Sequence, residues 1–279
     1  MTALAETVQT VRQIVHRTYG QNHGPISRLV SPHHGGELIK PFVFLDLFES
    51  EGGEFSGFGL HPHSGIATLT YIAEGGVNYE DTNGARGSIG PGGVEWMRAG
   101  RGVWHGGGGG ERGLTRGFQL WLALPPGLEL GPSVSLYQSA DEVPVVGPAR
   151  VLLGSYGGAT SAIEAPADIN YLAVRLGSGE RWQYQPPVGH EVLWIAVGKG
   201  KVRVPERIRR GALAVFASGQ EPVEFVAETE TEFMLGSAVR HPHDLVTGYY
   251  SVHTSEEALA KGEQHIREIH QELVRAGRL

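Results

Sequence analysis

Short apolar runs alternate with glycine- and proline-rich turns along most of the chain. Turn signals such as Asn83-Gly84 and Gly198-Lys199-Gly200 separate the runs. Runs with the apolar or alternating character of β-strands lie at 42–48, 66–72, 93–97, 118–124, 151–154, 171–174, 192–197, 212–216 and 233–237. Short strands at this spacing predict an all-β protein built as a sandwich or a barrel.

Helical periodicity is clear only near the end of the chain. Leu259, Ile266, Ile269 and Leu273 fall on one helical face. The sequence Thr254-Ser255-Glu256-Glu257 precedes them and has the form of a capping box. The pattern predicts one C-terminal helix, at 254–279, that packs one side onto a barrel.

The segment 124–148 is rich in proline and glycine and has no sustained period, so the domain junction is expected there. The sequences on its two sides are alike in outline, since each has a strand, a glycine turn, a second strand and a turn into a further strand. Two β-domains are therefore predicted, at 1–130 and 131–253. The second domain repeats the architecture without a histidine pair and keeps only His190.

Composition narrows the possible functions. The chain has 279 residues, a net charge of -7, 42 glycines and no cysteine. No basic run is long enough to neutralise several phosphates, which disfavours direct nucleic-acid binding. Without cysteine, histidine and carboxylate are the strong metal ligands that remain. The N-terminus lacks the pattern of a signal peptide and no apolar stretch has the length of a spanning helix, so a soluble, cytoplasmic protein without a membrane partner is expected.

Two histidines stand two positions apart in the stretch GLHPHSGIA at 59–67. Alternate residues of a strand share a face, so His61 and His63 are expected to converge, and Pro62 between them stiffens the pair. His105 ends a hairpin-rich stretch of a length that could return across a small barrel. Three imidazoles would form a metal site with open positions for water or substrate. The alternative is a pair of polar residues on a surface strand.

Four longer stretches resemble the pirin family of the cupin superfamily. They are PFVFLDLFE at 41–49, HPHSGIATLTYIAEG at 61–75, GSIGPGGVEWMRAGRGVWH at 87–105 and QLWLALP at 119–125. The resemblance is weaker in the second half. It implies a bicupin, in which two β-barrels of the double-stranded β-helix type face each other, with one metal site in the N-terminal barrel and none in the C-terminal barrel.

The resemblance also implies a ligand set of three histidines and one glutamate. By motif position the histidines are His61, His63 and His105. The glutamate position, two residues after the last histidine, is Gly107 here, and an acidic position common in the first cupin motif is Ala67. Iron is the metal that the family implies, with nickel, copper, zinc and manganese as alternatives. Loss of a hard carboxylate donor would shift the preference toward metals that favour nitrogen.

Some pirins are similar to flavonol dioxygenases, in which the glutamate takes the hydroxyl proton of the substrate. Here Glu111, just after the five glycines of 106–110, is the candidate replacement. The resemblance thus implies a metal-dependent enzyme of the quercetin 2,3-dioxygenase type with a small aromatic or flavonol-like substrate. Two alternatives stay open: a metal- or redox-responsive regulatory protein with a protein partner, and a barrel that has lost its metal.

The other notable side chains are assigned no role in the site. His241-Pro242-His243 repeats the pattern of the first pair but has no third histidine at a comparable return distance. The three tryptophans of the matched motifs, Trp96, Trp104 and Trp121, are interpreted as structural. Surface positions are expected for His16, His23, His33, His34, His253, His265 and His270.

Overall fold

A computed structural model describes residues 12–51, 58–108 and 113–279. The described chain is mostly β-strand and forms two barrels followed by one long helix, so the predicted bicupin fold is confirmed. Within these residues no helix combines the length and the apolar character needed to cross a membrane.

The first half of the described chain contains twelve strands and a one-turn helix, α1 (Gly36–Ile39). The strands are β1 (Ile14–Thr18), β2 (Gln21–His23), β3 (Ile26–Val30), β4 (Phe42–Ser50), β5 (Phe58–His63), β6 (Ile66–Glu74), β7 (Val77–Asp81), β8 (Arg86–Ile89), β9 (Val94–Arg98), β10 (Val103–Gly108), β11 (Thr115–Ala123) and β12 (Val134–Gln138). The first barrel consists of a seven-stranded sheet in the order β12-β9-β6-β11-β4-β3-β2 and a four-stranded sheet in the order β5-β10-β7-β8.

The second half repeats this plan. Its strands are β13 (Val145–Val146), β14 (Ala149–Leu153), β15 (Ser155–Tyr156), β16 (Ala159–Thr160), β17 (Ile169–Leu176), β18 (Arg181–Tyr184), β19 (Val192–Lys199), β20 (Lys201–Val204), β21 (Glu206–Arg209), β22 (Leu213–Phe216), β23 (Val223–Ala227), β24 (Thr231–Ala238), β25 (Val246–Gly248) and β26 (Ser251–His253). A seven-stranded sheet, β1-β22-β19-β24-β17-β14-β13, faces a four-stranded sheet, β18-β23-β20-β21. Strands β15 and β16, and β25 and β26, form separate hairpins.

One segment from each half of the chain packs on the barrel of the other half. Strand β1 pairs with β22 in the second barrel, with Thr18 opposite Leu213. The hairpin of β25 and β26 returns to the first barrel, where Ser251 bridges to Ser64. The boundaries 1–130 and 131–253 stay a prediction about independent folding units.

Strand alternation gives the large sheet of the first barrel two distinct faces. On β4, Leu45 and Leu47 join the apolar core between the barrels, whereas Phe44 and Asp46 line a cavity inside the first barrel. The interior of the second barrel is filled by its own apolar cluster, which includes Trp182. The cavity inside the first barrel is therefore the candidate functional site.

Helix α2 (Glu256–Arg275) begins where the sequence predicts it. Ser255 is the N-cap, and its side chain accepts a hydrogen bond from the Ala258 backbone N–H at 3.1 Å. The apolar face of helix α2 lies against the first barrel, where the Trp104 indole N–H donates to the Ile266 carbonyl at 2.9 Å. Because Trp104 lies next to His105 on β10, the helix supports the strand that carries the third histidine.

Candidate metal centre

The antiparallel pairing of β5 and β10 brings the three predicted histidines together. His105 lies directly opposite His61, and Val103 lies opposite His63. The ring centroids are 4.5 Å apart for His61 and His105, 4.9 Å for His61 and His63, and 5.1 Å for His63 and His105. One nitrogen of each ring lies within 4.8 Å of the others. This spacing fits a single metal ion held by three imidazoles.

Each imidazole has a fixed hydrogen-bond acceptor at Nδ1. His61 Nδ1 lies 2.8 Å from the Gly59 carbonyl, His63 Nδ1 lies 3.1 Å from the Tyr250 carbonyl, and His105 Nδ1 lies 2.9 Å from Glu95 Oε1. Since Nδ1 donates in each ring, the lone pair is on Nε2. The Nε2 atoms of His63 and His105 are buried and have no hydrogen-bond partner among the described residues. These nitrogens are oriented as metal ligands require.

Burial favours the neutral form of His61 and His63. Burial, together with the neighbouring His105, lowers the pKa of His61 to about 4. Burial, together with the other two rings, holds the pKa of His63 well below its usual value. Neutral imidazole is the form that binds a metal, so these side chains need no deprotonation near neutral pH.

Glu95 was not identified from the sequence, yet its carboxylate contacts one of the three rings. Burial raises its pKa, but the charge and hydrogen bond of His105 and the hydrogen bond of Thr70 outweigh that effect, so the pKa of Glu95 is lowered. A signal was available in the sequence. Glu95 alternates with Val94 and Trp96, which pack between the barrels, so its side chain must enter the first barrel.

Ala67 and Gly107 stand where the family resemblance implies acidic residues, and their structural surroundings differ. Ala67 is fully buried in the core between the barrels, so its side chain points away from the histidines. Gly107 adjoins the cavity, but a Cβ there would lie 2.4 Å from the Asn78 carbonyl oxygen of β7. The predicted catalytic Glu111 lies outside the described residues.

An aromatic wall borders the cavity, whose volume is about 440 Å³. Phe44 and Trp121 stack with centroids 4.1 Å apart and planes at 13°. Trp121 also presents its ring to His63 at 4.8 Å in an edge-on contact. Trp121 belongs to a buried apolar cluster, as expected, and the inward parity of β11 also places its ring beside the site.

Polar side chains line the same cavity on adjoining strands. Arg28 Nε and Nη2 each lie 3.1 Å from an oxygen of Asp46, and the guanidinium lies 4.6 Å above the Phe44 ring. Burial raises the pKa of Asp46, while Arg28 partly offsets the effect. Gln119 lies opposite Asp46 on the neighbouring strand, β11, and also faces the cavity.

A segment of the second half closes the site; we call residues 246–253 the C-terminal clasp. Tyr250 at its turn has a φ of 56°, a left-handed conformation that is unusual for a bulky residue. Its carbonyl accepts from His63, and its ring lies 5.7 Å from His61 and 5.9 Å from His63. The clasp thus contributes both an acceptor for a ligand and part of the cavity wall.

Under the clasp, a serine, a histidine and a glutamate are connected in the order of a hydrolytic triad. Ser64 Oγ lies 3.0 Å from His253 Nε2, and His253 Nδ1 lies 3.1 Å from Glu129 Oε2. All three side chains are buried, with Ser64 fully inaccessible, so no substrate reaches this serine. The surface position expected for His253 is wrong, and the group works as internal support for the clasp.

The second His-Pro-His sequence forms no comparable cluster in the described part of the chain. The rings of His241 and His243 are 5.4 Å apart, and His241 Nε2 lies 3.4 Å from the Leu124 carbonyl. Among the described residues, His61, His63 and His105 are the group of three side chains with metal-ligand spacing.

Comparison with known proteins agrees with this geometry. The pirin family model matches residues 24–122. A pirin-like protein of Caulobacter vibrioides is 33% identical over 214 residues, which cover 71% of this chain and 75% of that protein. The chain belongs to the pirin family. Its fold is similar to quercetin 2,3-dioxygenase from Acinetobacter baumannii, with a TM-score of 0.82, 25% identity, and coverage of 93% of this chain and 98% of that one.

A solved bacterial pirin shares the fold at lower identity. The bacterial pirin from Escherichia coli in complex with nickel(II) has a TM-score of 0.64 and 20% identity, and the match covers 82% of this chain and 98% of that one.

Proposed function

We propose that this pirin-family chain binds one divalent transition metal through His61, His63 and His105 and oxygenates a flavonol-like aromatic substrate. The observation that carries the proposal is the convergence of three imidazoles, two of them buried and one half-buried, on one point beside a cavity. A bound metal would supply a Lewis acid for vicinal oxygens of the substrate. In a dioxygenation both atoms of O2 enter the product, so the substrate provides the electrons and no further reductant is needed.

The protein side chains bind and orient the substrate in this proposal. A cavity of about 440 Å³ is of the size that encloses a small organic molecule. The stacked rings of Phe44 and Trp121 offer a flat apolar wall to an aromatic substrate, and the Tyr250 ring limits the entry of water. Arg28 and Gln119 provide polar groups along the same wall.

The choice of metal follows from the ligand chemistry. Three imidazoles without a direct carboxylate in the described site favour nickel, copper or zinc, whereas the family implies iron. The nickel complex of the E. coli pirin supports nickel as the first metal to test. A cytoplasmic location is part of the same proposal, and cell fractionation tests it.

Metal analysis and oxygen uptake test this function. Protein purified without chelators should contain about one transition metal per chain, and His61→Ala should lose it because a ligand is removed. With quercetin as substrate, the metal-loaded protein should consume O2, and His105→Ala should not. The control is His243→Ala, since His243 is an exposed member of the second His-Pro-His sequence and should keep both properties.

Each unfavourable result has a definite meaning. A chain without metal would overturn the proposal and leave the barrel as a small-molecule binder. Oxygen uptake that survives His105→Ala would show that the metal centre is not the agent. Metal at one equivalent without oxygen uptake on any flavonol would support the regulatory alternative, in which a protein partner reads the metal state.

A further inference from the structure

The metal centre has no carboxylate ligand at the position where the family has one, and the structure shows that this backbone cannot carry it. Gly107 pairs with Tyr79 of β7, and a Cβ on Gly107 would lie 2.4 Å from the Asn78 carbonyl oxygen. Such a contact is well inside van der Waals distance, so any side chain at 107 would displace β7 or β10. Three neutral imidazoles alone would leave the full charge of a dication inside the barrel.

The carboxylate of Glu95 lies behind His105, farther from the point where the three imidazoles converge. Glu95 Oε1 lies 2.9 Å from His105 Nδ1, and the other ring nitrogen, Nε2, is the one left for a metal. Both side chains are buried, with 6% of Glu95 and 5% of His105 exposed. A carboxylate that accepts the Nδ1–H of a ligating histidine fixes the ring and increases the basicity of its other nitrogen.

We propose that Glu95 replaces the missing ligand at 107 indirectly, by supplying its negative charge to the metal centre through His105. Glu95 is then a positioning residue, which orients His105 and makes it a stronger donor without touching the metal. The inference rests on the metal-binding part of the proposed function and does not depend on whether the loaded protein is a dioxygenase.

The hydrogen bonds around Glu95 are those of an anion. Thr70 Oγ1 lies 2.8 Å from Glu95 Oε2 and 2.7 Å from the side-chain amide of Gln119. One hydroxyl hydrogen serves one acceptor, so both contacts are satisfied when Thr70 donates to Glu95 and the Gln119 amide presents its NH2 to Thr70. That orientation also gives a partner to the Gln119 amide nitrogen, which otherwise has none in the part of the chain that the structure describes. His105 and Thr70 then both donate to the carboxylate.

Strand register builds this arrangement into the fold. Gln119 lies opposite Thr70 in the pairing of β11 with β6, and Thr70 lies opposite Glu95 in the pairing of β6 with β9. All three side chains line the cavity. The row Gln119, Thr70, Glu95 therefore reaches His105 from three adjacent strands, and each member is held by its neighbour.

The affinity for Ni²⁺ in variants of the full chain tests the inference. Glu95→Gln keeps the size of the side chain but removes its charge, and calorimetric titration should show Ni²⁺ binding weakened by about 10- to 100-fold. Thr70→Val, which removes one donor to the carboxylate, should weaken binding by a smaller factor, and Thr70→Ser should restore it. Ni²⁺ binding by Glu95→Gln that equals the unmodified chain would overturn the inference.

The control removes another buried carboxylate of similar exposure. Glu232 is 4% exposed and pairs with Arg116 and Arg175 between the barrels. Glu232→Gln should lower the thermal midpoint but leave the Ni²⁺ affinity unchanged. If Glu232→Gln weakens Ni²⁺ binding as much as Glu95→Gln, general loosening of the fold explains the effect and the inference fails. If Glu95→Gln does not fold, the inference stands or falls on whether Thr70→Val weakens binding relative to Thr70→Ser.

The result separates this inference from the proposed activity. An unmodified chain that binds Ni²⁺ but consumes no O2 would end the dioxygenase proposal, while the comparison of Glu95→Gln with the unmodified chain would still decide the role of Glu95. An unmodified chain that binds no metal under any condition would overturn both.

Discussion

At Gly107 the absence of a side chain is a packing requirement of two neighbouring strands. Because a Cβ would meet the Asn78 carbonyl at 2.4 Å, Gly107→Ala must push β7 and β10 apart. We expect the free energy of unfolding to fall by about 1–3 kcal/mol, the usual cost of overpacking. Urea denaturation measures the change.

The matched control for this prediction is Gly127→Ala. No atom lies within 4 Å of a Cβ built at Gly127, and its φ is not in the left-handed region, so the free energy of unfolding should change by less than about 0.5 kcal/mol. Equal losses in the two variants would show that the contact between Gly107 and β7 has no special cost.

Individual site residues differ in how far the sequence could predict them. The convergence of His61 and His63 follows from strand alternation, which is a local rule. Glu95 obeys the same rule through its neighbour Trp96, so it could have been found. Tyr250 could not, because its contact with His63 spans 187 positions and depends on how the C-terminal clasp docks.

At the scale of elements, the buried carboxylate of Glu129 supports the end of the C-terminal clasp. Glu129 accepts hydrogen bonds from the Thr254 backbone N–H at 2.7 Å and the Thr254 hydroxyl at 2.6 Å, and it lies 3.1 Å from His253 Nδ1. We expect Glu129→Gln to lower the free energy of unfolding by about 1.5–3 kcal/mol, because hydrogen bonds to a charged group are lost. Hydrogen exchange of residues 246–254 should become faster, and Ni²⁺ affinity should fall because the acceptor for His63 is less well fixed.

Glu257→Gln is the control for the clasp. Glu257 is exposed and pairs with Lys261 along helix α2, so its loss should change the free energy of unfolding by less than about 0.5 kcal/mol. Exchange rates at 246–254 that stay unchanged in Glu129→Gln would show that other contacts hold the clasp in place.

The strands were the most predictable elements, since all nine apolar runs fall in or overlap strands of the two barrels. Their order in the sheets was implied by the resemblance rather than by the pattern. The pattern missed short polar strands such as Gln21–His23, where no apolar alternation distinguishes a strand from a loop. The exchange of β1 into the second barrel was missed for a different reason, because its pairing partner at β22 lies about two hundred positions away.

On the scale of the molecule, two barrels of the same architecture serve different purposes. The second barrel is filled by an apolar cluster that includes Tyr184 and Phe225, so its interior gives stability. The first barrel contains the cavity, which is lined by the three candidate metal-ligand histidines and by the carboxylates of Asp46 and Glu95. Between the barrels, Glu232 accepts hydrogen bonds at 2.8 Å from Arg116 of one half and from Arg175 of the other. The packed barrel and this buried ion network support the polar interior of the other barrel.

The whole metal-free protein should become less stable as the pH falls. Burial is the largest cause of a lowered pKa at five described histidines, namely His61, His63, His190, His241 and His253. The unfolded chain takes up protons at these side chains below a pH of about 6.5, while the folded chain does not, so protons favour unfolding. The free energy of unfolding should be constant above a pH of about 7.5 and fall as the pH drops from about 6.5 to 5, with a slope of at most about 1.4 kcal/mol per pH unit for each additional proton bound by the unfolded chain.

Asp46, whose pKa is raised by burial, acts in the opposite sense, but only near the lower pKa range of a carboxyl group. Urea denaturation in the presence of a chelator at several pH values measures this slope, and stability that is constant or rises from a pH of about 7 to 5 would contradict the neutral, buried state of these imidazoles.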